Sequence, residues 1–293
     1  MRENIAMHFV QAKGILSQNN GMNIYRGCSH GCIYCDSRSK CYGFTHAFED
    51  IEVKENAPEL LEQALRSKRH KCMIGTGAMC DPYLPAEKEL QLTRKCLELI
   101  DRYEYGVTVL TKSNLVLRDL DLLQSIHKKT KAVVQMTLTT YDEDLCRKLE
   151  PNVSTTRERF EVLMRCKELG IPTLVWMTPI LPFINDTREN IEGLLDYCLQ
   201  AGVQGILVFD VGVTLREGDR EYFYQALDRD FPGIRQKYIS TYGNAYDIPS
   251  PYSKELMALI QNTCTANGML CSPKECFTYL HEFPERYVQQ TLF

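Results

Sequence analysis

Three cysteines fall within eight residues in the stretch NIYRGCSHGCIYC, as Cys28, Cys32 and Cys35. Isolated cysteines in a chain of this size are ordinarily small buried hydrophobes, but three in one loop rich in Gly, Ser and His are poorly explained by packing. Each iron of a cubane cluster takes three sulfides and one outside ligand, so three thiolates leave one iron open to a cosubstrate. Structural zinc stays open as an alternative, with His30, His46 or Cys41 as a fourth ligand, although C-x3-C-x2-C does not match the usual paired knuckles. A redox pair at CIYC leaves Cys28 unexplained, and the βα series that follows is too long for a thioredoxin fold.

The elements that position this loop are read from periodicity. Apolar, β-branched runs at 22–25, 71–77, 106–112, 132–140, 172–180 and 205–212 predict six strands. Between them, Pro85 opens a helix from Glu87 to Tyr103. Thr155 and Glu158 form a capping box before a helix that Gly170 ends. Asp186 caps a helix that stops at Gly202, and Ser253 starts one that Gly268 closes. Buried strands alternating with helices predict a parallel α/β sheet, either open and doubly wound or closed as a full or partial barrel. In either case chemistry belongs at the C-terminal strand ends. Cys28 to Cys35, Thr76 to Asp81, Lys112 and Ser113, Thr139 to Tyr141, and Asp210 all fall there.

Bulk properties narrow the function. A net charge of −4 over 293 residues argues against a broad duplex-binding face, making nucleic acid an unlikely partner. Thirteen cysteines without an apolar run at the N-terminus predict reduced thiols and a cytoplasmic location. No stretch approaches the roughly 20 apolar residues of a membrane span.

The cysteine spacing, with aromatic Tyr34 before Cys35, resembles the signature of the radical S-adenosylmethionine (SAM) superfamily. Together with GTGAMCDPYLPAEKELQLTRKCLE (75–98) and VLTKSNLVLRDLDLL (109–123), it resembles the branch typified by spore photoproduct lyase, over roughly residues 20 to 215. The resemblance implies a partial (β/α)6 barrel of the TIM type over residues 1–215, with residues 216–293 a helical extension of the same domain. It implies a [4Fe-4S] cluster on Cys28, Cys32 and Cys35 whose open iron is chelated by SAM. It also implies a 5′-deoxyadenosyl radical that takes hydrogen from an unactivated C–H bond, and an external electron donor such as a flavodoxin or ferredoxin.

The same resemblance places Tyr34 by the adenine, Lys112 on the SAM carboxylate, and Gly75 and Gly77 where backbone approaches SAM. Thr76, Ser113, Thr137 and Thr139 join the cofactor-binding set. The thiol that returns hydrogen in photoproduct repair would fall at Ala78; Cys80, two residues on, is the nearest candidate near the radical. Within the branch the chain is most similar to lyases that free queuine from queuosine, which implies a small modified nucleoside or nucleotide as substrate. Asp210, then Glu275, are the carboxylates expected to read the base. Tyr242, Tyr246 and Tyr252 are expected in a lid over the site. The alternatives are DNA repair, to which a clamp-binding-like QQTLF at 289–293 points, and a zinc-stabilised binding module without catalysis.

Overall fold

The computed structural model describes residues 6–284. Six parallel strands, Gly21–Met22, Met73–Thr76, Gly106–Thr111, Ala132–Thr137, Thr173–Trp176 and Gly205–Leu207, pair in that order. Spatial order equal to chain order means that each crossover returns to the neighbouring strand, the arrangement of a partial (β/α)6 barrel. The strand at Ala132–Thr137 is buried at all six positions, as a sheet covered on both faces requires.

Helices Ala57–Ser67, Leu92–Arg102, Leu120–Lys129, Thr156–Glu168 and Arg188–Ala201 form the outer layer. Leu92–Arg102 shows why: Leu92, Cys96, Leu97, Leu99 and Ile100 fall on one apolar face, and that face is buried. Thr155 and Glu158 make both bonds of the expected capping box. The open edge at Gly205–Leu207 is covered by the chain near Leu270, whose carbonyl accepts the Ile206 N–H at 2.8 Å. Helix Pro273–His281 packs there through Cys276 and Leu280.

Three expectations are corrected. The run at 22–25 is not one strand: Gly21–Met22 joins the barrel, whereas Tyr25–Arg26 turns into a separate sheet with Ile51–Lys54 and Met7–Val10. The helix from Glu87 is interrupted at Gln91, which is left-handed (φ 51°). Across this break the buried Glu87 carboxylate accepts the Thr93 N–H at 3.1 Å and Arg118 Nη2 at 2.8 Å. Asp186 does not cap its helix; Thr187 does, accepting the Asn190 N–H at 3.2 Å, while Asp186 accepts the Ser250 hydroxyl at 2.5 Å.

Beyond the sixth strand, Gly212–Thr214 pairs antiparallel with Asp247–Pro249 around helices Asp219–Asp230 and Ile234–Tyr242. Val213, Phe223, Tyr238 and Ile248 from this layer share a second apolar cluster with Cys32, Ile33 and Tyr34, so the extension packs directly on the cysteine loop. The QQTLF stretch lies outside the described residues.

Candidate active site

The cysteine loop begins at Gly27, whose φ of 87° and whose approach to the Phe48 carbonyl leave no room for a Cβ. Backbone bonds then pin the loop from several sides. The Cys28 N–H donates to Phe48 O at 3.0 Å, the Ile33 N–H to Leu149 O at 3.0 Å, and the Asn152 N–H to His30 O at 3.1 Å. Asp81 fixes the neighbouring strand end, accepting Thr111 Oγ1 at 2.7 Å, the Tyr83 N–H at 2.8 Å and the Lys112 N–H at 2.7 Å.

Above the loop opens a cavity of about 690 Å³, a volume suited to a small ligand. Cys32, Tyr34, Cys35 and Asp36 form one side, with Lys112 beside them. Trp176, Thr178, Phe209 and Asp210 from the last two barrel strand ends, and the Asp247–Pro249 strand, close the other.

One buried carboxylate organises the loop side. Glu150 accepts hydrogen bonds from the Tyr34 hydroxyl and from Arg159, and Lys112 Nζ stands 3.7 Å away. Arg159 is fully buried and also donates to the Thr137 carbonyl at 3.0 Å and the Ser154 carbonyl at 2.8 Å. Burial works to raise the Glu150 pKa, but the charges of Arg159 and Lys112 outweigh it and hold the carboxyl down to about 2. Glu150 therefore remains anionic, ties Tyr34 in place and aims Lys112 at the cavity mouth.

Residues 22–198 match the family model described as the radical SAM superfamily. The chain belongs to that superfamily. An uncharacterised protein of Mycobacterium tuberculosis is 29% identical over 248 residues, which cover 80% of this chain and 70% of that protein. An uncharacterised protein of Methanocaldococcus jannaschii is 34% identical over 169 residues, 57% of this chain and 62% of that one. Among solved structures, spore photoproduct lyase complexed with dinucleoside spore photoproduct superposes with a TM-score of 0.64 at 13% identity, covering 90% of this chain and 81% of that one. At that identity the likeness is one of fold.

The cofactors of this radical SAM enzyme are a [4Fe-4S] cluster and SAM, and its residues fit them. In a zinc tetrahedron the thiolate sulfurs stand about 3.8 Å apart. Among the described residues, no group of metal-binding side chains that tight includes a cysteine. A cubane spreads its ligands more widely, one to each iron. Cys41, considered as a fourth zinc thiolate, faces Arg216 instead, with Nη1 at 3.4 Å. Burial pushes the Cys35 thiol up to about 11 and Cys32 well above the ordinary range. Cys28 is pushed up chiefly by its hydrogen bond with Cys80, and then by burial. Thiols so buried ligate only where a cationic centre offsets the cost of the thiolates.

The expected residues divide sharply. Cys32, Tyr34, Cys35, Lys112 and Asp210 line the cavity, and Cys28 stands behind it with His30 and Cys80. Cys80 lies apart from the cavity, its thiol 2.7 Å from the Gly27 carbonyl. Gly75 and Gly77 are also off the cavity; at Gly77 (φ 100°) a Cβ would collide with the Leu110 carbonyl, so the glycine serves strand packing. Thr76 is buried. Ser113 caps the turn at Leu115, and the Thr137 carbonyl serves Arg159. Thr139 is buried, its carbonyl accepting Asn185 and Asn190.

Asp210 accepts its neighbour's N–H (Val211) at 2.7 Å and the Ser253 hydroxyl, while keeping a face on the cavity. Glu275 lines a different cavity, beyond Phe209. The three tyrosines of the expected lid lie elsewhere: Tyr242 donates to Pro249 O at 2.6 Å, the Tyr246 hydroxyl accepts from Arg216 at 2.8 Å, and Tyr252 is exposed. Their segment reaches the cavity through Asp247–Pro249.

Sequence reasoning missed Glu150, Trp176, Phe209 and Asp247. Trp176 carried a signal, being the chain's one tryptophan at the end of a strand run. No helix among the described residues is long and apolar enough to cross a membrane.

Proposed function

We propose that this radical SAM enzyme cleaves the glycosidic bond of a modified nucleoside, queuosine or its 5′-phosphate, and releases queuine. The observation that carries the reading is the composition of the wall opposite the cysteines. Trp176 and Phe209 stand edge to face, ring centres 6.2 Å apart, with Asp210 and Asp247 beside them. Aromatic faces stack on a base, and carboxylates accept paired N–H groups such as those on the edge of a deazaguanine. A cavity of about 690 Å³ is of a size to take one nucleoside.

In this reading Lys112 pairs with the SAM carboxylate, and Glu150 and Tyr34 hold that side rigid. The aromatic wall and the carboxylates orient the substrate with its ribose toward the cysteines, and the Asp247–Pro249 strand keeps water out. When bound, the cluster and SAM would supply a 5′-deoxyadenosyl radical able to take a hydrogen atom from the ribose, giving 5′-deoxyadenosine; release of the base from the sugar radical would then take up one further electron from the external donor and a proton from solvent. The electron comes from an external donor of the flavodoxin or ferredoxin kind.

Photoproduct repair is the second reading, supported by the shared fold. The position of Cys80 weighs against it, because among the described residues no cysteine other than Cys32 and Cys35 lines the cavity to return a hydrogen atom. The test is an anaerobic mixture of cluster-loaded protein, reductant, SAM and queuosine with or without its 5′-phosphate, followed by mass spectrometry. Queuine and 5′-deoxyadenosine appear together and only with SAM. Neither product from protein shown to carry its cluster refutes the substrate.

A further inference from the structure

The small sheet that carries the cysteine loop holds a second group of metal-binding side chains. His8, on Met7–Val10, is registered directly against Glu52, on the parallel strand Ile51–Lys54. His46, from the loop between the cysteines and that strand, lies edge to face with His8, ring centres 4.9 Å apart. One donor atom from each of His8, His46 and Glu52 lies within 4.8 Å of the other two.

Among the described residues, two of these donors lack an aligned hydrogen bond. His46 Nδ1 stands 2.9 Å from the Ala47 carbonyl, which sets the tautomer and turns Nε2 inward, 4.0 Å from Glu52. There Nε2 is buried and has no hydrogen-bond partner among the described residues; His8 Nδ1 also lacks an aligned hydrogen bond but has the Asp50 carboxylate 3.1 Å away. A buried, unpaired imidazole nitrogen is costly unless something occupies its lone pair. A backbone carbonyl behind a metal-binding histidine is the usual arrangement for presenting the opposite nitrogen.

The donor types point to a divalent cation. Asp50 adds a second carboxylate 3.1 Å from His8 Nδ1, so two imidazoles are gathered with two carboxylates. Arg26 and Lys54 lie nearby, Arg26 donating to the Tyr42 carbonyl at 2.8 Å and Lys54 to the Asn23 carbonyl at 2.9 Å, so neither occupies the space between the imidazoles and Glu52. Donors in a tetrahedral zinc site stand about 3.4 Å apart, within a small side-chain adjustment of the present spacing.

We infer that His8, His46 and Glu52 form a zinc site, independent of the iron–sulfur cluster, that braces the cysteine loop from behind. The bound ion ties Met7–Val10 to the 44–48 loop, and Phe48 of that loop is the residue whose carbonyl receives the Cys28 N–H. The set of two histidines and one carboxylate leaves a fourth position for water, and the site takes nitrogen and oxygen donors only.

The test uses cluster-loaded, desalted protein under anaerobic conditions, titrated with cobalt(II) as a spectroscopic stand-in for zinc. One cobalt binds per chain with visible ligand-field bands and no thiolate charge-transfer band, and zinc displaces it. His46→Ala and His8→Ala each weaken binding about tenfold or more, with cluster content unchanged. Glu52→Gln, which preserves volume, gives the same loss if a histidine variant folds poorly by circular dichroism. Absence of cobalt binding to the loaded protein, a thiolate band, or affinity unchanged in the variants overturns the assignment.

Discussion

Glu150→Gln is the substitution through which the loop-side network is most directly tested. Gln preserves the shape of the side chain and its contact with Tyr34 but removes the charge opposite Arg159, and both members of that pair are wholly buried. Removing one partner of a buried pair leaves the other uncompensated, at a cost of about 3–5 kcal/mol. The proton linkage gives a similar size: a carboxyl held near 2 rather than at its ordinary 4.5 contributes about 3 kcal/mol. Because the folded pKa is depressed, this stability is present in full above about pH 4.5 and is lost as pH falls toward 2. Set against a typical total of 5–15 kcal/mol, the loss is large. Anaerobic urea denaturation of the cluster-loaded protein at pH 7 measures it, with the visible absorbance of the cluster as a second readout. Glu150→Gln combined with Arg159→Met recovers part of the loss, since the stranded charge is gone. A loss below about 1 kcal/mol, or a double variant no more stable than the single one, refutes the reasoning.

Lys112→Ala weakens SAM binding about tenfold while the cluster content stays constant, because the ammonium lies at the cavity but bonds no cysteine; equilibrium binding to the loaded protein measures it. Gly77→Ala destabilises by about 2–4 kcal/mol, since φ is positive and the new methyl meets the Leu110 carbonyl; thermal unfolding reports it. Burial raises the Asp219 carboxyl to about 6, and its Oδ2 has no hydrogen-bond partner among the described residues while Oδ1 accepts the Arg216 N–H at 2.6 Å. The folded state therefore holds this proton more tightly than the unfolded one, and stability gains as pH falls from 6 toward 4. Solvent screening limits the gain to about 1 kcal/mol. Asp219→Asn removes this component, seen as a flatter dependence of unfolding free energy on pH across that window.

The parts of the molecule legible in sequence are those whose signal is local. Six β-branched runs marked a parallel α/β sheet without fixing its strand order, and Thr155 with Glu158 gave a cap to the residue. The cysteine motif pointed to the radical SAM family, and so to its cofactors, because its three cysteines lie in a single loop. What escaped depends on distance along the chain. Glu150 acquires its role from Tyr34 and Arg159, which nothing near it in sequence indicates. Tyr25 reads as a continuation of the first strand until its pairing with Val53 is seen. Gly77 shows why a glycine beside a strand end is ambiguous in sequence: a Cβ there would meet the Leu110 carbonyl of the next strand, whereas at Gly75 the nearest atom is Thr108 Oγ1 at 3.5 Å.

The bonds that pin the cysteine loop also set an order of events. Tyr34 reaches its partner Glu150 across 116 residues, and Ile33 is held by the adjacent Leu149. On the ribosome the three thiols emerge long before the segment that secures them. Until the fourth barrel strand and the helix after it are made, the loop is an exposed, loosely held thiol cluster, and closing so long a segment is a slow step. Docking of the cysteine loop therefore has to wait for residues 149 and 150, whatever the thiols bind.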